Sequence, residues 1–340
     1  MRRIRGIPTT VLVACDSFKG TLTAGEVVEA IAAGLEEAGR PVDRCPVADG
    51  GEGTLDALAP ALGLELHEAQ ASDPLGRTVR ARFGLGVELP RSRHLGGALA
   101  VLETAAASGL HLVAESERDA VAASSAGTGE LIAAAIDAGA RTILLGVGGS
   151  ATTDGGAGAI AALKARGGLR GARLVVLCDV RTPFEDAPRV FAPQKGATPQ
   201  QVRALEERLH QLATQLPRDP RGVPMTGAAG GLSGGLWATF GAELVAGAAF
   251  ILDAIGFDER LRAARAVITG EGRLDRQSLA GKLVSEIATR ARQAGVPCHA
   301  VVGSRELDDF GARMLDLERV LVAGDKVALR RAGAVLGGLL

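Results

Sequence analysis

At 340 residues the chain has room for one large domain or two, and 47% apolar against 23% charged residues is the balance of an ordinary globular protein. A net charge of -1 excludes a general pull towards nucleic acid or an anionic membrane, and 3% aromatics with no Tyr leave few platforms for stacking bases. The anomaly is 47 glycines, gathered in short runs between apolar segments rather than spread as a linker.

Taken in order, residues 10–14 (TVLVA) read as a first parallel strand. Asp16, Ser17 and Lys19 follow on a loop at its carboxyl end, where open α/β sheets bind ligands. Thr23 with Glu26 forms a capping-box signature, and Val27, Val28, Ile31 and Leu35 give the next helix one apolar face. Residues 42–47 read as a second strand, leading into Asp49, Gly50, Gly51, Glu52 and Gly53 before a helix near Thr54. Asp49 and Glu52 can bind a metal or act as acid and base; Asp-Gly is equally ordinary turn chemistry, and Glu52 favours a helix start.

From about Leu64 the character changes, and residues 67–87 alternate around Asp73-Pro74-Leu75-Gly76-Arg77 as a hairpin does. A strand is expected at 98–102, a loop at 124–130 and a helix at 131–139. Residues 141–158 (RTILLGVGGSATTDGGAG) then run from a buried strand through a glycine loop into a helical run. That geometry suits phosphate: glycine permits positive φ, N–H groups turn inward and the helix start adds partial positive charge. Here Gly148, Gly149 and Ser150 are the phosphate candidates and Asp154 a cation ligand, against a tight turn with no ligand.

Beyond this come a strand at 174–178 ending in Asp179, a loop placing Lys195, a Thr198-Pro199 helix start, an amphipathic helix at 202–216 and a glycine-rich loop at 226–236. A strand at 266–269 precedes Glu271, Arg273 and Asp275. A helix at 282–294, strands at 298–302 and 319–323 and a helical tail from Val327 close the chain. Regular βα units at both ends and a mixed middle predict an α/β protein. A doubly wound Rossmann-like parallel-sheet domain (1–66 plus 264–340) is interrupted by a second, inserted α/β domain (67–263).

Lysine usage is informative, because the chain has 5 Lys against 33 Arg. Yet Lys19, Lys195 and Lys282 each stand beside a glycine, where a compact ammonium suits phosphate better than a planar fork; helix-end solvation is the alternative. The four cysteines lie in or beside apolar strand-like runs without CxxC spacing, and are expected as reduced core residues of a cytoplasmic protein. MRRIRGIPTT has no long apolar run, so no signal peptide is expected, and the longest charge-free stretch, 222–242, is too rich in Gly, Ser and Pro for a membrane helix. There is no Walker A loop, and no GxGxxG opens the first helix. Residues 231–235 match GxSxG formally but lack the preceding strand of a nucleophile elbow, and the five His have no zinc spacing.

With those loops laid out, the chain resembles the type I glycerate kinase family. The carrying stretches are DSFKGTLTA (16–24), ADGGEGT (48–54), DPLGR (73–77), GTGELI (127–132), GVGGSATTDGGAG (146–158), CDV (178–180), PQKGA (193–197), GAAGGLSGGL (227–236) and ITGEGRLDRQSLAGK (268–282). The segment between 180 and 193 is short for the family, and the stretch after Gly303 matches it poorly. The resemblance implies the glycerate kinase I fold and transfer of the ATP γ-phosphoryl group to D-glycerate, at the 2-hydroxyl rather than the 3-hydroxyl, with Mg²⁺ as cofactor. A kinase for another small hydroxy acid and a non-catalytic phosphate- or sugar-acid-binding protein are the alternatives. No nucleic-acid or membrane partner is expected.

Phosphoryl transfer needs positioning, charge neutralisation and a base near the acceptor hydroxyl. On that basis Asp16 is expected as base, and Lys19 or Lys195 as stabiliser of the transferred phosphoryl. Ser17, Arg273 and Asp275 are expected on glycerate, with Arg273 forking its carboxylate. Gly148, Gly149, Ser150, Gly50, Gly51 and Gly53 are expected on ATP, and Asp49, Asp154 or Glu271 on Mg²⁺, with Asp179 a weaker candidate.

Overall fold

The structure, a computed structural model, describes residues 9–86, 97–178, 180–276, 278–280 and 282–340. The chain divides into two compact units, one made of the residues up to Asp49 with Ile251–Leu340, the other of Gly50–Phe250. Sequence patterning set the changeovers at 66/67 and 263/264; the compact units change over at 49/50 and 250/251.

The terminal unit is built on five parallel strands in the order Arg319–Val322, Cys298–Val302, Ala266–Gly270, Val11–Cys15, Val42–Arg44. Its central strands are mostly apolar because both faces are covered: Val11–Cys15, Ala266–Gly270 and Cys298–Val302 are buried throughout, Thr269 and His299 included. The chain steps from Val11–Cys15 to Val42–Arg44 on one side, and from Ala266–Gly270 outward on the other. The order therefore reverses between Val11–Cys15 and Ala266–Gly270, which opens a crevice beyond their carboxyl ends. Helix Ala24–Glu37 begins at the expected capping box, with Thr23 Oγ1 accepting from the Glu26 N–H and Glu26 returning the bond. It packs on the C-terminal helix Lys326–Leu339 through glycine: a Cβ on Gly34 would fall on the Arg330 carbonyl, and one on Gly333 on that of Ile31.

The middle unit carries a six-stranded sheet in the order Glu65–Ser72, Thr78–Gly86, Leu99–Glu103, Thr142–Gly146, Arg173–Cys178, Glu243–Ala246. The last four are parallel, and the first two are the expected hairpin, laid antiparallel along Leu99–Glu103. Asp73 closes its turn by accepting from the N–H groups of Leu75 and Arg77 and from Arg77 Nε. Phe83, Leu102, Leu131, Ile132, Ile143, Leu145, Val176 and Leu236 form the core of this unit.

Two helices begin elsewhere than the sequence reading placed them because glycine is used for contact rather than for turning. The helix expected from 131 is Ala126–Asp137, since Gly127 and Gly129 lie inside it where side chains would strike Ser72 and Ala159. The loop expected at 226–236 becomes helix Leu232–Phe240, with Gly234 against Thr226 and Gly235 against Gly155. Lys195 closes a 3₁₀ turn, Pro193–Lys195, rather than a plain loop. The second strand is only Val42–Arg44. The four cysteines are buried and unbridged, as expected of core residues. Among the described residues no helix is long and apolar enough to cross a membrane.

Candidate active site

In the terminal unit, the loops leaving the switch-point strands meet at one cavity of about 490 Å³. Asp16 follows Cys15 and Glu271 follows Gly270, so both are set there by the sheet itself. Ser17, Lys19, Thr21, Asp49, Arg273, Asp275, Lys282 and Ser304 complete its charged and polar lining. A second hollow of about 510 Å³ includes Cys298 and Glu318, at the amino ends of the strands, where this sheet class does not bind ligands.

Asp16 is 4% exposed. Its N–H donates to the Gly270 carbonyl at 2.9 Å and its Oδ1 accepts from the Ser17 N–H at 2.6 Å. The loop beyond is closed by Phe18 and Leu22, whose backbones pair. Burial and the neighbouring Asp49 charge push the Asp16 carboxyl well above its ordinary value, with Glu271 adding and Lys19 and the Ser17 N–H opposing. Lys19 reaches Asp49 Oδ2 at 3.3 Å, its own side chain 57% exposed. Glu271 accepts from Ser278 Oγ at 2.5 Å; burial raises it to about 7, with Asp275 and Asp49 adding and Ser278 and Lys282 opposing. Arg273 lies on the short strand Arg273–Leu274, exposed and 3.4 Å from Glu306. Three carboxyls held close, two with raised pKa, make this a place where cation or proton is favoured.

The expected phosphate loop lies in the middle unit. Strand Thr142–Gly146 gives way to Gly148, Gly149 (φ +72°) and Ser150, and the run ends at Gly155 and Gly156, both at positive φ, ahead of helix Ala157–Ala165. Among the described residues no hydrogen bond uses the N–H of Gly148, Gly149 or Ser150. A Cβ on Gly148 would come within 2.5 Å of Gly51 Cα, so the turn of Gly50, Gly51 and Gly53 lies directly against this loop. Gly50 and Gly53 also adopt positive φ, and Gly53 caps helix Thr54–Leu62.

Two middle-unit candidates have surroundings the sequence did not announce. Asp154 is almost fully enclosed: Oδ2 accepts from Ser125 N–H, Ser125 Oγ and Gly158 N–H, and Oδ1 from Gly156 N–H. Four donors at 2.8–3.1 Å occupy its oxygens and tie the 154–158 stretch to Ser125. Lys195 is 2% exposed, donating to Ser150 Oγ at 3.1 Å and the Thr152 carbonyl at 2.5 Å. Asp179 lies outside the described residues. Among the described residues no group of three or more His, Cys, Asp or Glu is arranged to hold a metal ion.

Sequence reading gave Glu103 no role. It ends strand Leu99–Glu103, accepts from the Leu55 N–H at 2.8 Å, and burial with the nearby Asp56 and Glu52 lifts it to about 7. A lone carboxylate closing an apolar strand is the signal that marks it.

The Glycerate kinase family profile matches residues 11–167 and 164–327. A protein of Bacillus subtilis named glycerate kinase is 38% identical over 338 residues, covering 88% of this chain and 86% of the relative. The glycerate 2-kinase of Escherichia coli K12 is 38% identical over 339 residues, covering 88% and 86%. A crystal structure from Salmonella typhimurium LT2, provisionally named glycerate kinase 2, superposes with a TM-score of 0.75 at 33% identity, covering 97% of this chain and 98% of that one.

Proposed function

The chain belongs to the glycerate kinase family, and we propose that it transfers the γ-phosphoryl group of ATP to the 2-hydroxyl of D-glycerate, giving 2-phosphoglycerate and ADP. The observation that carries the reading is the charge set around the 490 Å³ cavity, four carboxylates interleaved with Lys19, Lys282 and Arg273 at a topological switch point. A small anionic acid needs a cationic fork, an acceptor hydroxyl needs a base, and a phosphoryl group in transfer needs a compact cation.

Asp16 is the base that orients the acceptor hydroxyl, because it is the enclosed carboxyl with raised proton affinity. Lys19, with an exposed side chain, is placed on the transferred phosphoryl; Lys195, enclosed in the middle unit, is not. Ser17, Arg273 and Asp275 receive glycerate. Gly148, Gly149 and Ser150, supported by Gly50, Gly51 and Gly53, receive the phosphates of ATP, a role favoured by their unengaged N–H groups.

Mg²⁺, implied by the family, fits Asp49 and Glu271: both are hard oxygen donors lining one cavity, close enough for the Asp49 charge to raise the Glu271 carboxyl. This ion takes one or two carboxylates and completes its shell with phosphate and water. When bound it neutralises charge on the phosphates. Asp154, its oxygens filled by four protein donors, is left a structural role.

ADP release measured with ATP, Mg²⁺ and D-glycerate tests the activity. No glycerate-dependent ADP would overturn it, faster turnover of another small hydroxy acid would change the substrate, and product NMR reads which hydroxyl carries phosphate. Within the site, Arg273→Ala should raise the KM for glycerate about tenfold or more with kcat little changed. An effect confined to the KM for ATP would reverse its placement.

A further inference from the structure

Lys195 is an unusual place for an ammonium. It is 2% exposed and makes two hydrogen bonds, neither to a carboxylate. Such a charge is costly to bury unless something requires it. Asp154 is the carboxylate whose charge reaches it, already filled by four donors, and Arg118 packs its side chain against the adjoining Gly196. The hydroxyls of Thr152 and Thr153, in the same loop, are buried without hydrogen-bond partners.

What the ammonium does follows from donor and acceptor inventory. A protonated lysine only donates, whereas a serine hydroxyl both donates and accepts. Because Lys195 donates to Ser150 Oγ, the Ser150 proton must point elsewhere. Because Lys195 also donates to the Thr152 carbonyl, the backbone on the far side of Ala151 is pinned. Ala151 itself is fixed by its N–H donating to the Ser108 carbonyl at 2.9 Å.

We infer that Lys195 is a positioning residue that commits the Ser150 hydroxyl to donate outward, to an oxygen of the ATP phosphates. The inference rests on the reading of Gly148, Gly149 and Ser150 as the phosphate loop, and adds how that loop acquires its polarity. It also carries a pH signature. Burial lowers the Lys195 ammonium to about 7, against the pull of Asp154. Once neutral, the amine accepts from Ser150 Oγ–H, the bond reverses, and Ser150 is lost as a donor.

The test is a double-mutant cycle on the full chain, Ser150→Ala, Lys195→Met and the pair, reading the KM for ATP at saturating glycerate. At about pH 6, Ser150→Ala should raise that KM about tenfold. Lys195→Met should raise it similarly, and the pair no further. The ratio of variant to wild-type KM should fall towards one by about pH 9. An unchanged KM in Ser150→Ala would overturn the phosphate-loop reading itself. A normal Ser150→Ala effect with multiplicative losses in the pair, or with a ratio independent of pH, would overturn the inference about Lys195 alone. Should Lys195→Met lose its cooperative melting transition, Lys195→Gln takes its place. Its neutral amide still donates to Ser150, so a KM near wild type at pH 6 and unresponsive to pH supports the inference, and a full tenfold loss overturns it.

Discussion

Asp16→Asn is expected to lower kcat by roughly three orders of magnitude while leaving the KM for ATP within about twofold. The change keeps size and one acceptor, so the Ser17 N–H retains a partner, and only proton affinity and charge are lost. The raised pKa of Asp16 gives the pH dependence its sign. A base works when deprotonated, so activity should climb as pH rises through the raised value, and that limb should vanish in the variant. A residual limb near 7 would belong to Glu271, which the companion Glu271→Gln variant should remove. Stability should move the other way. The folded-state pKa lies above the unfolded one, so the contribution of this carboxyl is fully present below the unfolded pKa and is lost as pH rises through the folded value. Above that window Asp16→Asn should melt at the same temperature as the parent or higher. Lost turnover with retained or increased stability separates a functional carboxylate from a structural one. Full turnover in the variant would remove Asp16 from the chemistry.

How far the sequence reached is clearest where local chemistry is self-contained. The capping box at Thr23–Glu26, the Thr198-Pro199 helix start, the turn closed by Asp73 and the apolar strands each carry their own signal within a few residues. Glycine was harder, because the same residue permits a turn at Gly149 and a close helix contact at Gly129, and only the tertiary neighbour distinguishes them. Carboxylates were harder still. Asp16 and Asp154 look alike as acids in loops that follow buried strands. One meets a single backbone donor and two like charges; the other is filled by donors from Ser125, Gly156 and Gly158. Ser125 lies 29 residues from Asp154, beyond any local pattern. Glu103 escaped, and the enclosure of Lys195 was not legible, because burial, which sets both their proton affinities, is a property of the assembled unit.

Lys19→Met should lower kcat by about a hundredfold or more, the scale of removing one donor aimed at developing charge. Methionine preserves the length of the side chain and little of its chemistry, so packing at this half-exposed position should change least. The ammonium has two separable effects. It contacts Asp49 at 3.3 Å and it lowers the proton affinity of Asp16, opposing burial and the Asp49 charge. Removing it should therefore shift the acid limb of the pH–rate profile upward as well as depress the plateau. The plateau decides between them. If Lys19 only tunes Asp16, kcat recovers to the parent value once pH exceeds the shifted limb. If Lys19 also stabilises the transferred phosphoryl, the plateau stays low at every pH. Lys19→Arg sharpens the same distinction: it restores the charge felt by Asp16, and so the position of the limb, while its planar fork replaces the compact three-donor head. A restored limb over a depressed plateau is the result expected of a lysine that touches the phosphoryl group.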